Sequence, residues 1–277
     1  MSGIVEARIT RRGALAGLAS VTLAGCASTR ASHARPTLDV ATFNIWHDAG
    51  GQWPTRLGLI TAALRRTNAD VIALQEVLED SARALPNQAR TIADALGFPG
   101  LEFVATEPEG APRRYGNAIL TRFPIIEVAR RKLVPLDDYR TAIRVRVQTA
   151  SGPVDVVNTH LAWKPEQGPT RAEQLADLLG WLPQDGTPLI VMGDFNAPLD
   201  DAGLVSMGPP RFESALPAGA AATTLNTARG HQPRVIDHIF AEREHFAVLG
   251  AEVIGSEPVG GEYPSDHFGV VARMALR

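Results

Sequence analysis

The sequence of 277 residues lacks features that would each point to a particular class of protein. Cys26 is the only cysteine, so an intrachain disulfide is excluded. Basic residues are not in excess: the net charge is −3, and −5 without residues 1–25, which hold three arginines and one glutamate. This balance argues against a protein that holds long nucleic acid by neutralising its phosphates, although a local basic groove stays compatible with it.

A membrane-spanning run is also missing near the N-terminus. The apolar run over residues 13–25 is too short, and too rich in glycine and alanine, to cross a bilayer comfortably. With 45% hydrophobic and 21% charged residues, the composition is that of an ordinary globular protein. The length allows one large α/β domain or two small ones.

The N-terminus has the pattern of an export signal. Arg11-Arg12 precede the apolar run, which ends in the small-residue segment Leu23-Ala24-Gly25-Cys26. The paired arginines resemble a twin-arginine signal, but Ala14 stands where that pattern usually has a bulky apolar residue, so the general secretion route stays open. The segment ending at Cys26 resembles a bacterial lipobox, whose cysteine receives a lipid. The alternative is a disordered tail with a chance cysteine.

These features predict three segments. We expect an export signal over residues 1–26, a flexible tether over 27–36 and a folded domain over 37–277. The protein would then be an exported lipoprotein of the cell envelope, held at the membrane through Cys26, and we expect a monomer.

The folded part contains more strand patterns than helix patterns. Alternation over residues 140–149, a turn at Ser151-Gly152-Pro153 and a second apolar run predict a β-hairpin. Further predicted strands cover residues 38–45, 71–74, 117–121, 189–192, 234–240, 246–254 and 268–275, and helical spacing is seen at 57–66, 87–96 and 169–182. We therefore predict an α/β (α+β) protein, a four-layer α/β/β/α sandwich of two mixed, mainly antiparallel sheets flanked by helices.

Six short polar motifs lie against these apolar runs. Carboxylates, carboxamides and imidazoles rarely border buried strands unless they are used, so we expect one site assembled from many strand ends. Hard oxygen ligands with two candidate histidines indicate a divalent cation and a phosphate ester. The motifs are Thr42-Phe43-Asn44, Leu74-Gln75-Glu76, Asn158-Thr159-His160, Gly193-Asp194-Phe195-Asn196, Ile236-Asp237-His238 and Ser265-Asp266-His267.

Several of these residues also have a purely structural interpretation. Glu76 at a buried strand end is costly unless it binds metal or forms an ion pair, for which Arg114 and Arg140 are candidates. In the fourth motif, Asp194 and Asn196 share one face, but an Asx turn would place them similarly. A single strand-end histidine such as His160 is more often structural than functional.

The last two motifs indicate a proton-transfer pair. If the chain bends at Ser265, His267 is the natural proton-transfer residue, and Asp237 is the carboxylate that would orient it. Asp266 is then left for metal, and His238 is expected to point away into the structure.

Taken together, the six motifs resemble those of the endonuclease/exonuclease/phosphatase superfamily, over about residues 38–277. The family fold is the same four-layer sandwich. The resemblance implies metal binding by Asn44, Glu76 and Asp266, and catalytic roles for His160, Asp194, Asn196, Asp237 and His267. It also implies substrate contacts from Asn117 in the Tyr115-Gly116-Asn117 segment and from Asn158, with Thr223 and Thr224 as further phosphate contacts.

The mechanism implied by the resemblance is in-line attack of water on phosphorus. Asp237 and His267 would handle the proton and Asp194 would orient the water, while His160 and Asn196 would donate hydrogen bonds to phosphoryl oxygens. The expected cofactor is Mg²⁺, with Mn²⁺ and Ca²⁺ as alternatives.

Three substrate classes remain open, because loops around a shared site set specificity in such folds. The first is lipid headgroups or other small phosphate esters at the cell envelope, favoured by the lipobox and the acidic chain. The second is extracellular DNA, with phosphate contacts from Arg113, Arg114 and residues 130–132; nucleic acid is compatible but not favoured. The third is a catalytically silent lipoprotein that binds a phosphorylated ligand.

Overall fold

The computed structural model describes residues 36–277, which contain two six-stranded sheets. The strands in chain order are β1 (Thr37–Asn44), β2 (Val71–Asp80), β3 (Gly100–Ala105), β4 (Arg113–Thr121), β5 (Ile125–Lys132), β6 (Thr141–Thr149), β7 (Gly152–His160), β8 (Leu189–Asp194), β9 (Phe212–Ser214), β10 (Asp237–Glu242), β11 (Phe246–Ile254) and β12 (Gly269–Leu276). The first sheet has the order β11-β12-β1-β2-β4-β3 and the second the order β5-β6-β7-β8-β10-β9.

Each sheet contains one parallel pair, and each pair is joined by a helix. Strands β1 and β2 are parallel and connected through α1 (Trp53–Thr67), whereas β7 and β8 are parallel and connected through α3 (Gly168–Trp181). A crossover of this kind is what parallel neighbours require, and all other strand pairs are antiparallel. The mixed, mainly antiparallel sheets were predicted correctly.

Three apolar layers show that the architecture is a four-layer sandwich. Between the sheets, side chains such as Val40 on β1 meet Val145 and Val156 of the second sheet. Helices α1 and α2 (Gln88–Leu96) cover the outer face of the first sheet, and α3 covers the outer face of the second, where Leu175 and Leu178 are buried. The predicted fold class is therefore confirmed.

Helix α2 shows how closely local sequence sets the element bounds. The Asn87 side chain accepts a hydrogen bond from the Arg90 backbone N–H at 3.1 Å and caps the first turn. Gly97 ends the helix in the left-handed region at φ +72°, which a residue without a Cβ adopts freely. Both ends agree with the predicted helix over 87–96.

Two features differ from the sequence prediction. Strand β2 does not end at Gln75-Glu76 but continues to Asp80, with a β-bulge between Leu74 and Val77. Strands β3, β5 and β9 were not predicted. All three lie at the edges of a sheet, and β3 and β5 are only partly buried, so they lack the apolar pattern of central strands.

The export signal, the lipobox with Cys26 and all but the last residue of the tether lie outside the described residues, so they stay predictions. Within residues 36–277, no helix combines the length and the apolar character needed to cross a bilayer.

Candidate active site

The register of the sheets brings the six motifs to one end of the sandwich. In the first sheet Asn44 at the end of β1 is level with Gln75 on β2, and β12 runs antiparallel to β1 with its start at that end. In the second sheet Asp194 at the end of β8 is level with His160 on β7 and with Asp237 at the start of antiparallel β10. The motifs thus converge because of strand direction, although they are far apart in sequence.

Asn44 links the two sheets across this end. Its side-chain Nδ2 donates to Glu76 Oε1 at 3.2 Å and to Asp194 Oδ2 at 3.0 Å, and its Oδ1 accepts from the Trp46 backbone N–H. Glu76 occupies the β2 bulge with φ +61°, a conformation that is costly for a residue with a Cβ. The bulge turns the carboxylate of Glu76 into the cleft instead of leaving it on one face of the strand.

Asp237 and His267 form a close buried pair. The two oxygens of Asp237 lie 2.9 and 3.2 Å from His267 Nδ1, and Asp237 is fully buried. The other ring nitrogen, Nε2, lies 3.8 Å from Asp194 Oδ2. A carboxylate on Nδ1 fixes the ring and leaves Nε2 directed into the cleft.

The chain bends at Ser265, as it must if the adjacent residues Asp266 and His267 are to serve one site. Its hydroxyl donates to the Asn44 carbonyl at 2.8 Å and accepts from the His267 backbone N–H at 3.2 Å. Because of this turn, the neighbouring side chains of Asp266 and His267 both line the cleft.

The two histidines of the site have opposite electrostatic environments. Burial lowers the pKa of His160 well below its ordinary value, and Arg140 and His267 lower it further. Burial alone would also lower the pKa of His267, but Asp237 and Asp194 outweigh it and raise that pKa well above the ordinary value. His160 Nε2 lies 3.3 Å from Asp194 Oδ2. The directions of the two pKa shifts indicate a neutral His160 and a positively charged His267.

Asp194 lies between these imidazoles. Burial raises its pKa, and the neighbouring Asp237 carboxylate adds to the effect, while His267 and the Asn44 amide oppose it. A carboxylate with a raised pKa accepts a proton more readily than one in water, so Asp194 is suited to take a proton from a nucleophile.

The donor set of the cleft fits a hard divalent cation. Glu76 and Asp266 both line it, and each lies near a histidine: His47 Nε2 is 3.9 Å from Glu76 Oε2, and His231 Nε2 is 3.4 Å from Asp266 Oδ2. Within residues 36–277, neither carboxylate forms an ion pair with an arginine or lysine, and oxygen ligands of this kind suit Mg²⁺. Arg114, one of the expected ion-pair partners of Glu76, binds Glu79 instead.

A second group of possible metal ligands lies deeper. Asp194, Asp237 and His267 each offer one ligand atom within 4.8 Å of the others. In this group, however, His267 Nδ1 is already bonded to Asp237, and the Asp194 oxygens accept from Asn44 and from the Asn196 backbone. We therefore favour Glu76 and Asp266, which face open space, as the principal metal carboxylates.

Asn117 and Asn158 are not placed at the substrate as expected. Asn117 is 2% exposed, and its amide donates to the Thr141 carbonyl at 2.9 Å. Asn158 is fully buried, accepts from Gln75 Nε2 at 2.7 Å and donates to the carbonyls of Leu74 and Ala118. Both amides therefore join the two sheets behind the cleft, because strand side chains alternate between faces and these point inward.

The remaining predicted residues have structural surroundings too. Thr224 Oγ1 accepts from the backbone N–H groups of Ile236 and Asp237, and Thr223 bonds to nearby backbone, so neither lines the cleft. His238 points away, as expected, with Nε2 2.9 Å from the Ala197 carbonyl. Asn196 lines the cleft, and its amide donates to the Leu161 carbonyl at 3.1 Å.

The cleft has a volume of about 520 Å³ and contains residues that the sequence analysis missed or placed elsewhere. Arg140 is only 3% exposed and lines the cleft, with its Nε atom unpaired. Its guanidinium lies 4.4 Å from the ring centroid of Tyr139, which in turn lies 6.0 Å from Tyr115. Trp163, 56% exposed, completes this aromatic wall. In the sequence, Arg140 is one of several arginines in an alternating pattern. Its place in the cleft becomes visible only in the structure.

The fold and the site together define a class of protein. The model of the endonuclease/exonuclease/phosphatase family matches residues 41–267, and the chain belongs to that family. Members of the family are metal-dependent phosphoesterases and nucleases. The resemblance drawn from the six motifs is thus confirmed.

The individual relatives have only low sequence identity to this chain. The chain is 27% identical to mouse protein angel homolog 2 over 161 residues, which are 52% of this chain and 29% of that protein. The chain is 26% identical to the human homologue over 200 residues, which are 65% of this chain and 36% of that protein. The chain therefore spans only about a third of the length of these curated relatives.

Solved structures of similar fold cover the domain more fully. The human Nocturnin catalytic domain with bound sulfate is 23% identical with a TM-score of 0.70, covering 87% of this chain and 94% of that one. An endonuclease/exonuclease/phosphatase from Beutenbergia cavernae is 25% identical with a TM-score of 0.70, covering 87% of this chain and 72% of that one. TDP2 from C. elegans is 20% identical with a TM-score of 0.67, covering 86% of this chain and 75% of that one.

Proposed function

We propose that the protein is a divalent-metal-dependent phosphodiesterase that hydrolyses small or flexible phosphate esters at the cell envelope by in-line attack of water. The observation that carries the proposal is the convergence in one cleft of a buried Asp237–His267 pair, Asp194, and the two open carboxylates of Glu76 and Asp266. This set supplies a proton acceptor, a positive charge and a cation site within one cavity.

Each side chain has a role that follows from its surroundings. Asp194 orients the attacking water and accepts its proton, and the charged His267 stabilises the phosphoryl oxygens and hands a proton to the leaving oxygen. The neutral His160 and the Asn196 amide donate hydrogen bonds to the same oxygens. Mg²⁺, or Mn²⁺ or Ca²⁺, held by Glu76 and Asp266 with Asn44 alongside, would neutralise the negative charge that develops there.

A buried arginine in the cleft supports an anionic substrate. Arg140 is 3% exposed, and its Nε has no acceptor among the described residues, so a bound anion would supply the missing acceptor. The sulfate in the similarly folded Nocturnin domain, a tetrahedral anion, is consistent with such a ligand.

The charge distribution favours small esters over long DNA. Residues 1–35 hold five arginines and one glutamate, so residues 36–277 carry a net charge of −7 against −3 for the whole chain. Three arginines expected at phosphates are bound elsewhere: Arg114 to Glu79, Arg130 to Glu102 and Arg131 to Asp177. With this net negative charge, binding of a long polyanion by phosphate neutralisation is disfavoured.

A nuclease is the second candidate, favoured by the aromatic wall of Tyr115, Tyr139 and Trp163, since bases stack on such side chains. A substrate panel separates the possibilities: bis-p-nitrophenyl phosphate, plasmid DNA, and sphingomyelin or phosphatidylinositol vesicles, each with Mg²⁺ and with chelator. We expect chelator-sensitive hydrolysis of the small ester. Nicking of plasmid with no other turnover would establish the nuclease instead, and no turnover at all would support a silent binding protein.

We also propose that the protein is an exported lipoprotein and a monomer. The proposal rests on the lipobox-like segment ending at Cys26. Metabolic labelling with a fatty acid should be lost in Cys26→Ser, and labelling that survives the change would refute lipidation at this residue. Size-exclusion chromatography with light scattering should give a single subunit.

A further inference from the structure

A short sequence is repeated at the start of two helices. Helix α1 begins with Trp53-Pro54-Thr55-Arg56 and helix α3 with Gly168-Pro169-Thr170-Arg171, so an arginine is the fourth residue of each. Each helix follows a strand that ends at the cleft, β1 at Asn44 and β7 at His160. The two arginines thus have corresponding positions in the two halves of the sandwich.

Arg56 is 1% exposed, and its described hydrogen bonds all go to backbone carbonyls, while its guanidinium also lies over the rings of Trp46 and Trp53. Its guanidinium donates to the carbonyls of Ile45 at 2.6 Å, Trp46 at 3.1 Å and Pro264 at 3.2 Å, and also to that of His47. These acceptors directly follow Asn44 or directly precede Ser265-Asp266. One side chain therefore fixes the two segments that carry Asn44 and Asp266, two of the three proposed metal-binding residues.

Arg171 does the same on the opposite wall. It is 7% exposed and donates to the carbonyls of Ala162 at 3.2 Å and Lys164 at 2.9 Å, which flank the exposed ring of Trp163. Its Nη2 lies 3.9 Å from Asp201. The loop it fixes carries the outermost aromatic side chain of the cleft.

A buried glutamine reinforces each arginine. Gln88 accepts from the Leu78 backbone N–H at 3.0 Å and donates to the His47 carbonyl at 3.0 Å. Gln174 accepts from the Ala162 backbone N–H at 2.8 Å and donates to Asp138 at 2.8 Å, next to Tyr139. The two walls are held by separate sets of hydrogen bonds, with no residue shared between them.

We infer that Arg56 and Arg171 are positioning residues that set the two walls of the cleft independently. Arg56 positions the metal wall, formed by the segments at Asn44 and Asp266, and Arg171 positions the substrate wall at Trp163. The inference rests on the proposed function. The planar guanidinium spreads five N–H donors over three nitrogens in a fixed fork, whereas the three donors of a lysine ammonium share one nitrogen and cannot reach the same set of carbonyls.

Two charge-preserving variants test this separation. For Arg56→Lys we expect at least a tenfold rise in the dissociation constant of Mn²⁺, measured by calorimetry, with KM for bis-p-nitrophenyl phosphate at saturating metal within twofold of wild type. For Arg171→Lys we expect the reverse: Mn²⁺ binding within twofold and KM raised at least fivefold. Identical changes in both variants, or loss of thermal stability alone, would refute the inference.

A coupling test links Arg171 to Trp163 directly. If Arg171 acts through this ring, adding Arg171→Lys to Trp163→Ala should raise KM no further, because the positioned group is already absent. Multiplied effects of the two changes would show that Arg171 acts in some other way.

Arg144→Lys is the matched control, since Arg144 is equally buried but bound to Asp155 and Glu127 away from the cleft. It should lower the melting temperature without changing Mn²⁺ binding or KM. If an arginine variant does not fold, Gln88→Met and Gln174→Met probe the metal wall and the substrate wall with the same expected separation.

Failure of the proposed function would be recognisable. If the wild type hydrolyses no ester, Mn²⁺ calorimetry still decides the role of Arg56. The role of Arg171 is then read from acrylamide quenching of Trp163, taken as the difference from a Trp163→Phe background. Quenching should increase in Arg171→Lys but not in Arg56→Lys, and equal quenching in both would overturn this half of the inference.

Discussion

Replacing Asp237 by asparagine isolates the contribution of its charge. The asparagine side chain has the same shape, and the backbone N–H groups of Ile236 and Asp237 remain bonded to Thr224, so the local fold should persist. What changes is the bond to His267 Nδ1, now made by a neutral amide instead of a carboxylate at 2.9 and 3.2 Å. Without that carboxylate the pKa of His267 falls, so a smaller fraction of the imidazole is positively charged at neutral pH.

The size of the effect follows from the lost interaction. A hydrogen bond to a charged group contributes about 1.5–3 kcal/mol. Because each 1.36 kcal/mol is a factor of ten in rate, kcat for bis-p-nitrophenyl phosphate should fall by about 10- to 150-fold. KM should change less than kcat, because Asp237 itself does not line the cleft and the other groups there are unchanged.

His238→Gln provides the control on the same strand. The His238 ring donates to the Ala197 carbonyl away from the cleft. Because a glutamine amide can make the same hydrogen bond, kcat should be retained. Wild-type kcat in Asp237→Asn, or an equal loss of activity in His238→Gln, would contradict the role given to the Asp237 charge.

Three further changes test other parts of the structure. Gly193→Ala should cost at least about 2 kcal/mol in urea unfolding, because φ is +146° and a Cβ would lie 1.9 Å from the Thr159 carbonyl oxygen; an unchanged midpoint would contradict the close approach of the strands. Glu76→Gln should raise the Mg²⁺ concentration for half-maximal activity at least tenfold, and unchanged metal dependence would remove Glu76 from the metal site. The hydrogen bond from Arg131 lowers the pKa of Asp177 in the folded protein. The ionised carboxylate therefore stabilises the fold at pH values above the pKa of an unfolded aspartate, about 3.9, and this stabilisation is lost as the pH falls through the lower pKa of the folded state. Asp177→Asn should therefore lose less stability between about pH 5 and pH 3 than wild type does, measured by urea unfolding.

The sequence was sufficient for the fold class and for the set of motifs. Compact apolar runs such as Leu189–Met192 predict buried strands, and a polar residue directly after such a run is conspicuous. Since strand direction alone brings strand ends to one edge, the meeting of Asn44 with Asp194 could be expected without coordinates. The Asp237–His267 pair followed from the same reasoning.

Other features depend on packing that no local pattern reports. The β2 bulge at Glu76 is an irregularity of pairing with β4 and leaves no mark in the apolar pattern. The alternating pattern around Asn158 is the same whether its side chain faces a cleft or the space between the two sheets. Its hydrogen bond to Gln75, 83 positions away, could therefore not be predicted from the sequence. Edge strand β5 has a charged, half-exposed sequence that resembles a loop.

The buried arginines show the limit most clearly. Arg140 precedes the alternating arginines Arg144 and Arg146, yet Arg144 and Arg146 bind Asp155 while Arg140 faces the cleft. Arg56 looks like an ordinary polar residue in the first turn of a helix, and only the fold brings the Pro264 carbonyl, 208 positions away, to its guanidinium. The repeated Pro-Thr-Arg sequence was the one available signal, and it has meaning only once both helices are placed.

The most direct test of the account is the hydrolysis of bis-p-nitrophenyl phosphate by wild type and His267→Ala, with Mg²⁺ and with chelator. We predict turnover by the wild type only when metal is present, and a loss of at least about 100-fold in kcat for His267→Ala. Full activity of His267→Ala, or wild-type activity that survives the chelator, would contradict the central claim that this cleft is a metal-dependent phosphodiesterase site.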